Sequence, residues 1–342
     1  MDLSDFDFQL PADLVAQEPL SERSASRMLV VNRAARTIVD RTFDELPDVL
    51  DPSDLLVLNN TRVFPARLIG KSETGARVEL FLAKDLGDNR WSALARPAKR
   101  LKPERRIFFG EELSAELESR EEDGQVVVRF FAEGNFDQML DAVGITPLPP
   151  YIKREEPSSD DRDRYQTVFA ETRGAIAAPT AGLHFTPEIL DRIEKRGNRI
   201  VKLTLHVGYG TFEPVRTEDL SKHRVSPEEF EIGEEAAVEI NEAIASGRRV
   251  IAVGTTTTRA LESAFAHSGR IKAGPGIAGL TITPGYDFRV INGLLTNFHL
   301  PKSSLLVLVS TFAGRELIME AYAHAIAERY RFYSYGDCML VV

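Results

Sequence analysis

The rhythm of apolar residues changes once along this chain, and that change limits the folds open to it. Between residues 76 and 131 the apolar runs are short and closely spaced: Arg77–Leu82, Trp91–Ala95, Arg106–Phe109, Leu113–Glu118 and Gln125–Phe131. Turn signals separate them, including Ser72–Gly75, Leu86–Asn89 and Glu122-Asp123-Gly124. Short strands at that spacing predict a small antiparallel barrel or sandwich. After residue 165 strands alternate with helices instead. Thr186 is a good N-cap, Pro187 takes the first helical position and Gly197 fits the C-terminal cap, with Ile189, Leu190 and Ile193 as the apolar stripe between them. Strand Ile200–Leu205, helix Glu234–Ser246, strand Arg249–Val253 and helix Arg259–His267 follow. Such alternation predicts a parallel-type sheet with flanking helices. Ser303–Phe312 and Glu316–Arg329 read as further helices, and the tail Asp337–Val342 as an edge strand. The expected architecture is an α/β domain over residues 1–62 and 150–342, interrupted by a small β-barrel domain inserted at 63–149. Gly144–Pro150 and the acidic stretch Glu155–Asp163 read as the connector.

Charge and cysteine usage narrow the function classes. The net charge of −10 taken alone argues against a nucleic-acid partner. Its distribution is uneven, because Arg90, Arg96, Lys99, Arg100, Lys102, Arg105 and Arg106 stand close together with one acid, Glu104. On charge alone a solvated surface loop is the simpler reading of that run. The acidic start Met1–Asp5 does not read as a signal peptide, and the apolar run Leu305–Val309 is far too short to span a bilayer, so no membrane association is expected. A single cysteine, Cys338, rules out an internal disulfide and fits the reducing cytoplasm.

Four segments share one make-up. They are Pro179–Phe185, His206–Phe212, Gly254–Arg259 and Thr296–Pro301, each mixing Gly, Thr, His, Asn or Arg with apolar residues. Two of them directly follow the strands ending at Leu205 and Val253, where open α/β sheets put ligand sites. Together they suggest one site assembled from separate loops. The histidines His184, His206 and His299 in these loops could serve as general acids and bases or as ordinary structural residues. Gly254–Thr258 precedes a helix, and is either an anion cradle or a Thr-capped start. Asn59, Asn60 and Arg62 form a polar turn that is either structural or lines the site from the domain junction. No metal is expected: His184, His206, His223 and His299 lack the i, i+4 pairing with a glutamate that a zinc helix needs. Gly208-Tyr209-Gly210 lacks the third glycine and the later acid of a dinucleotide fingerprint.

Longer motifs carry a specific resemblance. Phe6–Pro11, Leu56–Leu68, Ala178–Thr186, His206–Phe212, Ala252–Ser263, Pro284–Tyr286, Leu295–Leu305 and Tyr330–Asp337 span nearly the whole chain. In these segments the chain resembles the S-adenosylmethionine:tRNA ribosyltransferase-isomerases of queuosine biosynthesis. The resemblance implies transfer and isomerisation of the ribosyl part of S-adenosylmethionine onto 7-aminomethyl-7-deazaguanine at the tRNA wobble position. The products would be epoxyqueuosine-tRNA, adenine and methionine. S-adenosylmethionine would be a consumed cosubstrate, with no cofactor permanently bound, and the chain is expected to act as a monomer. The sulfonium acidifies the neighbouring C5′ protons, adenine needs a proton or hydrogen bond as it leaves, and the attacking amine must be neutral. On this reading His184, His206 and His299 take the acid–base and adenine-facing roles. Thr255, Thr256 and Arg259 would hold the methionine carboxylate or a phosphate, with Thr180, Gly182, Gly208, Gly210 and Asn297 completing the cosubstrate site. The family usually reads His-x-x-His-x-Glu in the loop after His206, and here Ser226 stands at the second histidine between His223 and Glu228. Two other classes compete: a non-catalytic RNA-binding protein, and an S-adenosylmethionine-dependent RNA methyltransferase.

A tRNA substrate changes the weight of the basic run, since an acidic protein must concentrate its phosphate contacts. Arg62, Arg96, Lys99, Arg100, Lys102 and Arg105 are the expected tRNA-binding residues. Charge reversal at Lys99, Arg100 and Lys102 should weaken tRNA binding and flatten its salt dependence by about 0.7–0.9 per lost contact. Unchanged binding in a titration across salt concentrations would return the run to a plain surface loop.

Overall fold

A computed structural model describes residues 2–98, 105–121, 124–154, 159–208, 215 and 217–342. Its larger part is built on a nine-stranded sheet in the order Gly274–Ala278, Glu228–Ile232, Arg199–Leu205, Leu55–Asn59, Val250–Val253, Gly293–Asn297, Cys338–Val341, Arg27–Asn32 and Thr37–Thr42. The four central strands from Arg199–Leu205 to Gly293–Asn297 are mutually parallel. They are covered on both faces, which explains why Leu55–Asn59 and Val250–Val253 are buried at every position. Antiparallel pairs flank this centre, so the sheet as a whole is mixed.

Alternation along the strands sorts the helices. Leu55, Val57, Val250, Ala252 and Leu294 pack with helices Glu234–Ser246, Thr255–Ser268, Ser304–Ala313 and Arg315–Ala327. Leu56, Leu58, Ile251, Val253 and Leu295 face the other way, onto Ile189 and Ile193 of helix Pro187–Lys195. Thr186 caps that helix by accepting from Ile189 N at 3.3 Å. Two expectations need correction. The tail strand Cys338–Val341 is internal, antiparallel to Gly293–Asn297 and parallel to Arg27–Asn32. The helix expected from Arg259 begins at Thr255, so all four threonines lie inside it.

The strands between residues 67 and 132 close into a six-stranded barrel, in the order Val126–Ala132, Arg90–Arg96, Arg77–Gly87, Arg67–Ser72, Arg106–Phe108 and Leu113–Arg120. Inward residues such as Leu68, Leu80, Ala93, Ala115 and Val128 form a separate core. Helix Phe136–Val143 packs on it, with the Phe136 ring 5.1 Å from Phe130 and 6.3 Å from Trp91. Closure is tight at Gly70, where a Cβ would stand 2.6 Å from the Phe108 carbonyl oxygen.

Buried polar groups fix how the central strands meet the loops. The Asn59 amide donates to Leu205 O at 2.9 Å, and its Oδ1 accepts from Leu205 N and Thr61 N. Asn60 accepts from Thr204 and donates to Glu171, so this pair ties strand to strand. Glu262, fully buried, accepts from Tyr286 Oη and the backbone N–H groups of Arg289, Val290 and Ile291 at 2.9–3.1 Å. It thereby sets the loop that feeds strand Gly293–Asn297. Glu262→Ala should lower the unfolding free energy by about 3 kcal/mol or more, because several buried donors lose their acceptor. Urea unfolding checks this, and a loss within ~0.5 kcal/mol, the range of an ordinary surface substitution, would contradict it.

Candidate functional site

The carboxyl ends of the parallel strands converge where the fold rule for open α/β sheets expects a ligand. Strand Val250–Val253 ends at Gly254, whose φ of 93° and ψ of 153° turn the chain directly into helix Thr255–Ser268. Thr257 and Thr258 turn their hydroxyls back onto Val253 O and Gly254 O, inside the helix. The hydroxyls of Thr255 and Thr256 have no hydrogen bond among the described residues, and the first N–H groups of this 14-residue helix lack intrahelical acceptors. Both threonines line a cavity of about 720 Å³.

Thr180, Asn297 and His299 line the same cavity, so three of the four polar segments meet there. The fourth contributes Val207. His299 is held by its ring Nε2, 2.8 Å from Thr296 Oγ1, and by its backbone N–H, which donates to Tyr322 Oη at 2.8 Å. Its Nδ1 has no hydrogen bond among the described residues. Burial pushes the imidazole down to about 3, so it is neutral. Asn297 donates through Nδ2 to Tyr333 O at 3.1 Å and meets His184 Nε2 at 3.2 Å, while its buried Oδ1 has no partner among the described residues.

Two of the expected catalytic histidines lie elsewhere. His184 is 4% exposed and sits behind the cavity wall, between Asn297 and Ser26 Oγ at 2.8 Å from its Nδ1. Burial, with the charges of Arg23 and Arg331, pushes it down to about 3. It therefore orients Asn297 without facing the cavity. His206 points to the other side of its strand end, into a separate 420 Å³ hollow with Glu229 and Glu231. Its Nδ1 is 2.8 Å from Thr61 Oγ1, and burial lowers its pKa against the opposing charge of Glu229. Gly182 is a packing position, since a Cβ there would stand 2.8 Å from the Phe169 ring.

Gly208 and Arg259 line a second cavity of about 930 Å³ between the barrel and the sheet. The two cavities share Thr255, Thr256, Ser304 and Leu305, and so meet at the helix start. Arg259 is committed within the protein. It donates to Glu228 Oε2 at 2.8 Å and to the carbonyls of Ser226 and Ala278 at 3.0 and 2.7 Å. Glu228 Oε1 also accepts from Gly208 N at 3.1 Å. His223 and Ser226 line this second cavity beside them. Gly210, Lys99, Arg100 and Lys102 lie outside the described residues. Arg105 is paired with Glu73 at 3.1 Å, whereas Arg62 and Arg96 are exposed and without an ion pair among the described residues.

Sequence reasoning missed the aromatic wall. Tyr151 and Tyr333 line the 720 Å³ cavity and stack with ring centroids 4.5 Å apart. Tyr333 holds a φ of 72°, a left-handed conformation that costs a bulky residue about 1–3 kcal/mol and gathers at functional sites. The aromatic density of Tyr330–Tyr335 was the available signal. Among the described residues no group of three or more His, Cys, Asp or Glu is placed to hold a metal ion, and no helix is long and apolar enough to cross a membrane.

The family model described as queuosine biosynthesis protein matches residues 3–341. A protein of Syntrophotalea carbinolica named S-adenosylmethionine:tRNA ribosyltransferase-isomerase is 52% identical, with 100% of both chains covered. One of the same name from Pelotomaculum thermopropionicum is 51% identical, again over 100% of both. The crystal structure of an S-adenosylmethionine tRNA ribosyltransferase from Thermotoga maritima is 34% identical, with a TM-score of 0.55, covering 99% of this chain and 100% of that one. The chain belongs to the queuosine biosynthesis family, whose curated members at this level of identity are S-adenosylmethionine:tRNA ribosyltransferase-isomerases.

Proposed function

We propose that this chain transfers and isomerises the ribosyl group of S-adenosylmethionine onto 7-aminomethyl-7-deazaguanine at the wobble position of a cytoplasmic tRNA, releasing adenine and methionine. The observation that carries the reading is the 720 Å³ cavity in which Thr180, Thr255, Thr256, Asn297 and His299 converge, within a chain of this family. Its volume lies within the roughly 300–1,000 Å³ usual for small-molecule sites. The free N–H groups at the start of helix Thr255–Ser268 suit the methionine carboxylate, since a helix N-terminus favours an anion. The stacked Tyr151–Tyr333 pair offers a flat wall for a purine. Arg259 is spent on Glu228 and two carbonyls, so it shapes the site and leaves anion binding to the helix end.

The histidines divide by environment. A base works best with a pKa near the working pH. A neutral imidazole near 3 is instead suited to accepting a hydrogen bond, through Nδ1 of His299, from adenine or the incoming amine. The inserted barrel unit at 63–149 serves as the RNA-facing part. Given the modified tRNA and S-adenosylmethionine, the chain should release adenine, measured by liquid chromatography. S-adenosylhomocysteine as the product, or tRNA binding without turnover, would overturn this reading.

Two substitutions separate the histidines. His299→Ala should lower kcat/KM by roughly tenfold, about 1.4 kcal/mol, the worth of one lost hydrogen bond. His184 affects stability through protonation. Its pKa is about 3 when folded against 6.5 for the free side chain, so it takes up a proton on unfolding. The stability it contributes is full above 6.5 and is lost as pH falls towards 3, at up to ~1.4 kcal/mol per pH unit. His184→Asn should therefore make the fall of stability with acid shallower than in wild type. Parallel slopes for the two proteins would contradict this.

A further inference from the structure

The barrel carries a basic face that the reaction site does not use. Register pairs Lys71 with Arg77, Ile69 with Glu79 and Arg67 with Phe81 across one strand pair. The neighbouring pair sets Glu79 opposite Arg96 and Phe81 opposite Leu94. Directly opposed residues share a face, so Lys71, Arg77, Arg96 and Arg67 stand together with one acid, Glu79. That acid is engaged by Arg67, at 2.9 Å from Nε to Oε1 and 3.3 Å from Nη2 to Oε2. The Arg67 hydrogen bonds, and then the charges of Arg67, Arg96 and Arg77, hold its carboxyl below the usual range. Lys71, Arg77 and Arg96 are exposed and have no ion pair among the described residues. Lys71 facing Arg77 is a like-charge cross-strand pair, which costs stability.

This face forms one side of a groove of about 360 Å³. The opposite side is the proline-rich segment at residues 145–152 with Arg154 and Asp161, themselves paired at 2.9 Å. Phe81, Leu94 and the prolines supply apolar surface between the cations. Pro150 lines both this groove and the 720 Å³ cavity, so the groove runs up to the edge of the reaction site. Unpaired cations along an apolar trough describe a track for single-stranded nucleic acid.

We propose that this groove binds the ribose-phosphate backbone of the tRNA anticodon loop beside the wobble nucleotide, with Arg77 and Arg96 on its phosphates. The inference rests on the tRNA reading above. It goes beyond the Arg90–Arg106 run, which already includes Arg96, by adding Arg77 on a second strand and a defined groove.

Affinity of the full chain for an anticodon stem-loop, measured by fluorescence anisotropy across salt concentrations, tests it. Arg77→Glu/Arg96→Glu should weaken binding about tenfold or more at physiological salt and lower the slope of log K against log salt by about 1.4–1.8, at 0.7–0.9 per phosphate. KM for S-adenosylmethionine should stay unchanged. Arg36→Glu/Arg270→Glu, an equal change of net charge on exposed residues away from the groove, should leave the slope as in wild type. Arg77→Gln/Arg96→Gln, with a melting temperature matching wild type, repeats the test without added negative charge. Wild-type binding with an unaltered slope in both groove variants would overturn the groove and leave the tRNA reading standing. A wild type that binds no RNA would overturn both.

Discussion

A guanidinium and a carboxylate buried side by side hold the two cavities in register. Arg259 rises from the first turns of helix Thr255–Ser268, and Glu228 opens strand Glu228–Ile232. Their 2.8 Å contact is 9% and 5% exposed. Through it the helix is fixed to the Gly208 backbone and to the carbonyls of Ser226 and Ala278. Such a pair adds little net stability over a well-packed apolar one, but losing either partner strands a buried charge. Its consequence here is geometric. The helix start that serves both cavities cannot shift without disturbing the loops at residues 208, 226 and 278. Glu228 of the His-x-x-x-x-Glu segment lines the 930 Å³ cavity and is tied to Arg259 and the Gly208 backbone, and Ser226 joins the network through its carbonyl oxygen, which any residue would supply.

Burial then decides what each polar group can do. Burial pushes both His184 and His299 down to about 3, yet of the two only His299 lines the 720 Å³ cavity. His184 stands one step behind, fixing the amide of Asn297, which also donates to the carbonyls of the left-handed Tyr333 and of Asp337. The strained tyrosine, the buried amide and the neutral imidazole form one connected wall. Rigid walls of this kind set orientation, which suits a reaction whose donor must be attacked at the sugar and lose two groups in order.

The barrel strands were legible because period-two alternation and turn residues are local signals. The start of helix Thr255–Ser268 was not, since a threonine run reads as loop by propensity. Thr257 and Thr258 resolve that conflict by bonding back to carbonyls one turn earlier. The place of Cys338–Val341 inside the sheet depends on lateral partners far away in sequence, which no local pattern carries. Composition picked out segments that line one cavity but could not aim their side chains. Alternation past Leu205 puts His206 and Val207 on opposite sides, and accordingly Val207 lines the cavity while His206 lines the separate hollow. The Tyr151–Tyr333 stack joins residues far apart in sequence, so it emerges only from the fold.

A crystal structure of this chain with S-adenosylmethionine tests the composite site most directly. The cosubstrate should lie in the 720 Å³ cavity, its carboxylate within hydrogen-bonding distance of the Thr255 and Thr256 N–H groups and its purine against Tyr151 and Tyr333. Density instead in the hollow beside His206, or in the 930 Å³ cavity with no contact to the helix start, would contradict it.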